Sequence, residues 1–522
     1  MSKPRDRDRI LDGALQASCQ VLIAGGACGA LIEAMKLATG EGTRSSAAAT
    51  MYSLASNKEG CVALIAGGAC GTLVETLKLA EKEETRSSIA ATMYLLASHD
   101  EGCAALIAGG ACGALIAAMR LARRETSRSS IAAAMYSLAL SDEGCAALIS
   151  GGACKRIFYP CGALVEALKL AEKEEMRSSI AATMYLLASY DEGCAALIAG
   201  GACGALTETL KNAQDDDTKF NIVCVMQRIA LQDDGRSLLL AVKGACRALV
   251  LVLTAARNDC LRLNAAEAMH AMVLDHQGCA AFVAAGACGA LVEALNITED
   301  NGTRGVICHV MHSLAKMEQG CLSLVAAGVC LCLVEMLIIA ENEDMQFVCT
   351  SILYHLVSHE EGCAALVSAG ACTALVRALQ LAESDEMRHN IASFMDWIAL
   401  NDGGRVVLIA DGACVSVVDA LKAAENEDTT YVWASVMFML ASDKNGCAAL
   451  IAGGACAALV EALARAEKEH TNISILSAMG TIACDRDGRL QLAAALSHAL
   501  HAAEAQGTES KIARALALIK LG

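Results

Sequence analysis

Residues 60–98 read GCVALIAGGACGTLVETLKLAEKEETRSSIAATMYLLAS, and their apolar spacing decides the fold. Cys61, Leu64 and Ile65 stand at i, i+3 and i+4, a short helical stripe. Gly67-Gly68 stops that helix, because glycine adopts the left-handed conformation past a helix end at little cost. Cys70, Leu73, Val74 and Leu77 follow at i, i+3, i+4 and i+7, which predicts a second amphipathic helix. The run Glu81-Lys82-Glu83-Glu84 marks a turn and places negative charge where the next helix dipole favours it. Ile89, Met93, Leu96 and Ala97 then form the stripe of a third, longer helix. None of the three can bury its stripe alone, so the other wall must come from neighbouring segments.

Those neighbours are copies of the same stretch. The corner Gly-Ala-Cys, once Gly-Val-Cys, begins at Gly26, Gly68, Gly110, Gly152, Gly201, Gly244, Gly286, Gly328, Gly370, Gly412 and Gly454. The step is 42 residues except for one of 43, from Gly201 to Gly244, and one of 49, from Gly152 to Gly201. The longer step carries an insertion at 155–161, KRIFYPC. A fixed period of this size marks a stacked repeat architecture. The organisation expected is an amino-terminal segment and partial cap over 1–17, one continuous array over 18–487 and a degenerate capping repeat over 488–522. The cap reads as helices over 490–500 and 512–519 joined by a Gln506-Gly507 turn.

Composition agrees with an all-α chain and excludes other classes. The 522 residues include only two prolines but 43 glycines, and 55% are hydrophobic. Forty-one basic against 58 acidic residues give a formal charge of −17, which argues against a phosphate-neutralising, nucleic-acid-binding surface. The charged start, residues 1–10, is not a secretory signal. Mean hydropathy is +0.44, and residues 102–119 carry no charge. Gly109-Gly110 interrupts that stretch, so it reads as two short buried helices meeting at a corner, not a membrane span.

A short, a medium and a long helix in 42 residues resembles the armadillo repeat. The run Gly68-Ala69-Cys70-Gly71-Thr72-Leu73-Val74 is similar to that family's second-helix opening, although glycine, threonine or alanine usually replaces its proline. The resemblance implies a right-handed α-α superhelix, an armadillo-type solenoid, whose third helices line a concave groove for a protein or peptide. Armadillo proteins that bind nuclear-import signals carry an asparagine near the end of the third helix. Here those positions read Ser53, Leu95, Ser137, Leu186, Arg228, Ala271, Ser313, His355, Trp397 and Met439, so the importin-type adaptor is the weaker expectation. A role in ubiquitin ligation is weaker still, because no RING or U-box pattern accompanies the array.

Twenty-seven cysteines invite disulfide, metal or redox readings. Most fall at two inward registers, the Gly-Ala-Cys corner and the position after the first helix's glycine, where cysteine serves as a small hydrophobe. Free thiols fit a reducing compartment, cytoplasmic or nuclear. Cys308, His309 and His312, and His355 with His359, have only half the ligands of a zinc site. The glycine-rich corner lacks the Lys-Ser/Thr of a phosphate loop, and neither Gly-x-Ser-x-Gly nor His-Glu-x-x-His occurs. A non-enzymatic scaffold without cofactors is therefore expected.

Two columns recur on the third helix. Arg44, Arg86, Arg128, Arg177, Lys219, Arg262, Arg304 and Arg388 form a basic one. Seven of its eight members follow an acid by three residues, which reads as local helix support. The other is aromatic: Tyr52, Tyr94, Tyr136, Tyr185 and Tyr354 share one register, joined by His270, His312 and Phe438. Copies eight to ten add Phe347, His355, His389, Trp397, Tyr431 and Trp433, the large rings that usually anchor a partner. All of these except Trp433 are the candidate groove contacts; Trp433 and Phe394 read equally as core filling. The partner expected is a protein or peptide, with the acidic turns favouring a basic one and no membrane insertion. The chain itself is expected to be a monomer, or to self-associate weakly through its thinly capped amino-terminal end.

Overall fold

The computed structural model describes residues 20–150, 160–339, 343–382, 384–504 and 510–521. Residues 1–17, most of the 155–161 insertion and the Gln506-Gly507 turn lie outside the described residues. The described residues form helices and connecting turns, with no strand. The quoted stretch folds as Lys58–Ala66, Ala69–Leu79 and Glu83–Ala97, the short, medium and long helices expected. Gly68 sits between the first two at φ +79°, where a side chain would strain the backbone. The chain there bends by 81°, and seven equivalent corners bend by 76–89°. No single helix among the described residues is long and apolar enough to cross a membrane.

The chain divides into two compact units, Met1–Met272 and Val273–Gly522. The sequence reads as one unbroken array; the division falls after the sixth third helix, Asp259–Met272. In each unit, third helix packs on third helix and second on second from copy to copy. Arg486–Glu504 and Ser510–Leu521 pack on Ala455–Arg465 of the eleventh copy, so the carboxyl-terminal pair covers that copy's second helix.

Leu64, Leu73, Ile89, Met93 and Leu96 are fully buried, each removing apolar surface worth about 1.5–3 kcal/mol from water. Cysteines complete this core: of those described, only Cys260 and Cys484 are exposed, and all are unpaired. Burial pushes Cys70 up to about 11 and Cys112 up to about 12, so these thiols stay protonated and inert. They also serve as weak donors across copies. Cys70 Sγ lies 3.8 Å from the Gly102 carbonyl, and Cys288, Cys414 and Cys456 repeat the contact with Gly320, Gly446 and Gly488. Leucine or isoleucine at this register would fill space but make no such contact.

The acids that open the third helices do more than support their own arginines. Glu41 receives the backbone N–H of Glu81 and, at 2.7 Å, the Thr85 hydroxyl of the next copy. Glu83 receives the N–H groups of Arg123 and Arg124, Glu174 those of Gln214 and Asp215, and Glu427 those of Glu467 and Lys468. Burial disfavours charge on Glu41 and Glu83, but these hydrogen bonds and neighbouring arginines outweigh it and hold both carboxyls below their ordinary range. A carboxyl depressed in the folded state stabilises it above the unfolded value, about 4.3, and that contribution fades as pH falls through the folded value. Glu83→Gln should therefore lower the urea midpoint at pH 7, with the gap to wild type closing between pH 5 and pH 3.

Candidate functional site

Each third helix turns its apolar stripe inward, and what remains forms the face shared along a unit. Counting the helix's first residue as position 1, Ile89, Met93 and Leu96 are the buried positions 7, 11 and 14 of Glu83–Ala97. Positions 5, 12 and 13 lie away from that stripe at about 100° per residue.

Position 12 holds the tyrosine column. Tyr52, Tyr94 and Tyr354 are exposed, whereas Tyr136, Tyr185, His270, His312 and Phe438 are half-buried against neighbouring helices. Position 13 places His355 half-buried and Trp397 39% exposed. Position 5 holds half-buried Phe347 and His389 and the exposed Tyr431. The candidates thus share one helical face within each unit. In the first copies that face has a small floor, with Ser87 Oγ 3.1 Å from Ser130 Oγ.

The same counting separates the two tryptophans. Trp433 is at position 7 and Phe394 at position 10; both are wholly buried, so they fill core and Trp433 is not a partner contact. Trp397 alone of the pair reaches solvent.

The basic column also belongs to the scaffold. Arg86 donates to the carbonyls of Ala80 (3.0 Å) and Glu81 (2.9 Å), Arg177 to Ala171 and Arg388 to Ala382. These carbonyls at the end of the second helix have no helical partner of their own. Arg177 pairs with Glu174 at 3.0 Å and Lys219 with Asp216 at 3.2 Å. The column is held to the frame and does not present bare charge to a ligand.

Electrostatics differ along the face. In the first unit a cleft of about 760 Å³ lies over the third helices of copies three to five. Tyr136 and Phe220 bound it, with Glu174, Glu175, Asp215 and Asp217 around them. In the second unit the His312 and His355 rings lie 5.8 Å apart, and the Tyr354 ring is 5.7 Å from His355. Burial first, then Lys316 and the neighbouring histidines, pushes His312 down to about 4. Burial and Lys316 likewise lower His355, so both rings are neutral at pH 7. Tyr431 stands edge-on to His470 at 5.3 Å. Among the described residues no three possible metal ligands converge, and Cys308 is buried while His309 faces out.

Sequence reasoning missed Phe220, Asp396 and Ser435 on this face. The first two were available by counting: Phe220 occupies position 5 and Asp396 position 12, where the tyrosines stand in other copies. It also missed a row of exposed leucines ending the second helices, Leu37, Leu79, Leu121 and Leu170.

No family model matches the chain, and no curated protein matches it. Solved structures do. One, from a study of the phosphorylation switch controlling the interaction between cadherin and beta-catenin, is 14% identical with a TM-score of 0.65, covering 90% of this chain and 96% of that one. An engineered protein is 19% identical with a TM-score of 0.54, covering 87% of this chain and 98% of its own. A designed armadillo repeat protein is 19% identical over 45% of this chain and 99% of its own, with a TM-score of 0.41. The fold is an all-α solenoid of the armadillo type.

Proposed function

We propose that this chain is a non-enzymatic scaffold that binds a protein or peptide segment along its third-helix face. The observation that carries the reading is the set of solvent-reaching rings on stacked third helices: Tyr52 and Tyr94 in the first unit, Tyr354, Trp397 and Tyr431 in the second. Aromatic side chains that are apolar, rigid and already ordered are efficient anchors, since few rotamers are lost on binding. The partner is basic, a reading supported by the carboxylates around the cleft of copies three to five and by the net charge. The unpaired thiols support a cytoplasmic or nuclear setting.

The test is capture of partners by the immobilised full chain from lysate of the source cell. The triple substitution Tyr354→Ala, Trp397→Ala and Tyr431→Ala is compared with a control on the leucine row, Leu79→Ala and Leu121→Ala. A partner held by wild type and control should fall at least tenfold with the triple variant. Equal recovery by all three, or loss with the control alone, overturns the proposal.

A further inference from the structure

In the second unit, position 12 of the third helices runs His312, Tyr354, Asp396, Phe438. A carboxylate therefore stands in the aromatic column, between a tyrosine one copy before it and a phenylalanine one copy after. These three helices pack directly on one another, Glu343–Val357 on Asp385–Leu400 and Asp385–Leu400 on Glu427–Ala441. Next to Asp396 in the chain is Trp397, at 39% exposure the only tryptophan on the surface.

The carboxylate has little to satisfy it. Ser435 of the next copy donates its hydroxyl to Oδ1 at 2.8 Å, and no described residue donates to Oδ2. No described lysine, arginine or histidine forms an ion pair with it, although the acids that open the third helices are paired as a rule, Asp385 with Arg388 and Glu174 with Arg177. Burial pushes the Asp396 carboxyl up and the Ser435 hydroxyl pulls it partly back; no cation contributes. Asp396 is half-buried and Oδ2 is left open to solvent, so the acid has no counter-charge but keeps one oxygen accessible. Apolar or aromatic residues fill this register in neighbouring copies, so stacking does not require the acid.

We infer that Asp396 is the receiving group for a guanidinium or ammonium side chain of the bound segment, with Trp397, Tyr354 and Phe438 as its aromatic walls. A cation entering there meets an unpaired carboxylate oxygen and ring faces together, and both attract it. Arginine fits better than lysine, because its planar head stacks on a ring while its N–H groups reach the carboxylate. The inference rests on the groove reading above and names the chemistry of one of its contacts.

The experiment pans a library of displayed random 12-residue peptides on the full wild-type chain, keeping peptides that lose binding to the Tyr354→Ala, Trp397→Ala, Tyr431→Ala variant. Each is then measured against Asp396→Asn, which preserves shape and the Ser435 bond, and is resynthesised with citrulline for arginine or norleucine for lysine. Retained peptides should share a basic residue, and either change should weaken binding at least tenfold. Peptides that bind the groove without a common cation, or that tolerate both changes, overturn the inference and leave the groove reading standing. If no peptide is retained by the wild type, both fall together.

Discussion

Trp433→Ala should destabilise the second unit by about 3–5 kcal/mol, while Trp397→Ala should cost less than about 1 kcal/mol. Trp433 is enclosed on every side, and truncation leaves a cavity that the helices around it cannot close. Among the described residues its indole N–H finds no hydrogen-bond partner, so Trp433→Phe should recover more than half of the alanine loss. Trp397 stands at the surface of its third helix and loses mainly contacts to solvent. The chain has just these two tryptophans, which makes the comparison spectroscopic as well as thermodynamic. With Trp397→Phe the remaining emission should be blue-shifted and indifferent to a bound segment; with Trp433→Phe it should be red-shifted and should respond. Urea unfolding followed by circular dichroism gives the energies independently of the fluorophore. Equal losses from both alanine variants would contradict the assignment of one ring to core and the other to the groove.

Gly144→Ala should be the most damaging single-methyl change in the first unit. A Cβ at Gly144 would lie 1.8 Å from the Leu138 carbonyl oxygen and 2.9 Å from Ser141 Oγ. The carbonyl is backbone, so relief requires the first helix of the fourth copy to move off the third helix of the third. Gly102, Gly193 and Gly446 meet the equivalent carbonyl at 2.2, 1.9 and 2.1 Å, so this close approach is how the first helix seats in copy after copy. A loss of about 3 kcal/mol or more is expected, comparable to severe overpacking. Gly71→Ala is the internal control. Gly71 lies on the exposed side of Ala69–Leu79 with nothing within 4 Å of a built Cβ, and alanine there should stabilise by about 0.5–1 kcal/mol. Hydrogen exchange across 100–150 should accelerate in the first variant and not in the second.

The triplet was legible in the sequence because each of its decisions is local. A corner glycine, an apolar period of 3.6 and an acidic turn specify Ala69–Leu79 and Glu83–Ala97 without reference to the rest of the chain. The aromatic column was legible for the same reason, since a fixed register repeats every 42 residues. What escaped depends on contacts between copies. Nothing in the run Glu81-Lys82-Glu83-Glu84 says that Glu83 will receive the Arg123 and Arg124 amides 40 residues later. Nor does a cysteine at an inward position announce its partner carbonyl, and the division after Met272 leaves no mark in the period. Trp397 and Trp433 look alike in composition, and only their positions on the helix separate them. Asp396 shares the register of the rings, but a single carboxylate in a column of aromatics breaks the repeat and so gives no periodic signal.

The forward reach of the opening carboxylates bears on how such a chain changes length. Glu41 docks on the loop of copy two as Glu83 docks on the loop of copy three, through matching atoms at matching sequence distance. Excising residues 58–99 would bring Glu41 to the seat that Glu83 vacates, with every joint of the remaining first copies made as before. A whole period is thus a unit that can leave with each joint remade, and a fraction is tolerated where it falls clear of the joint: Glu125 still receives the Lys173 amide across the seven-residue insertion.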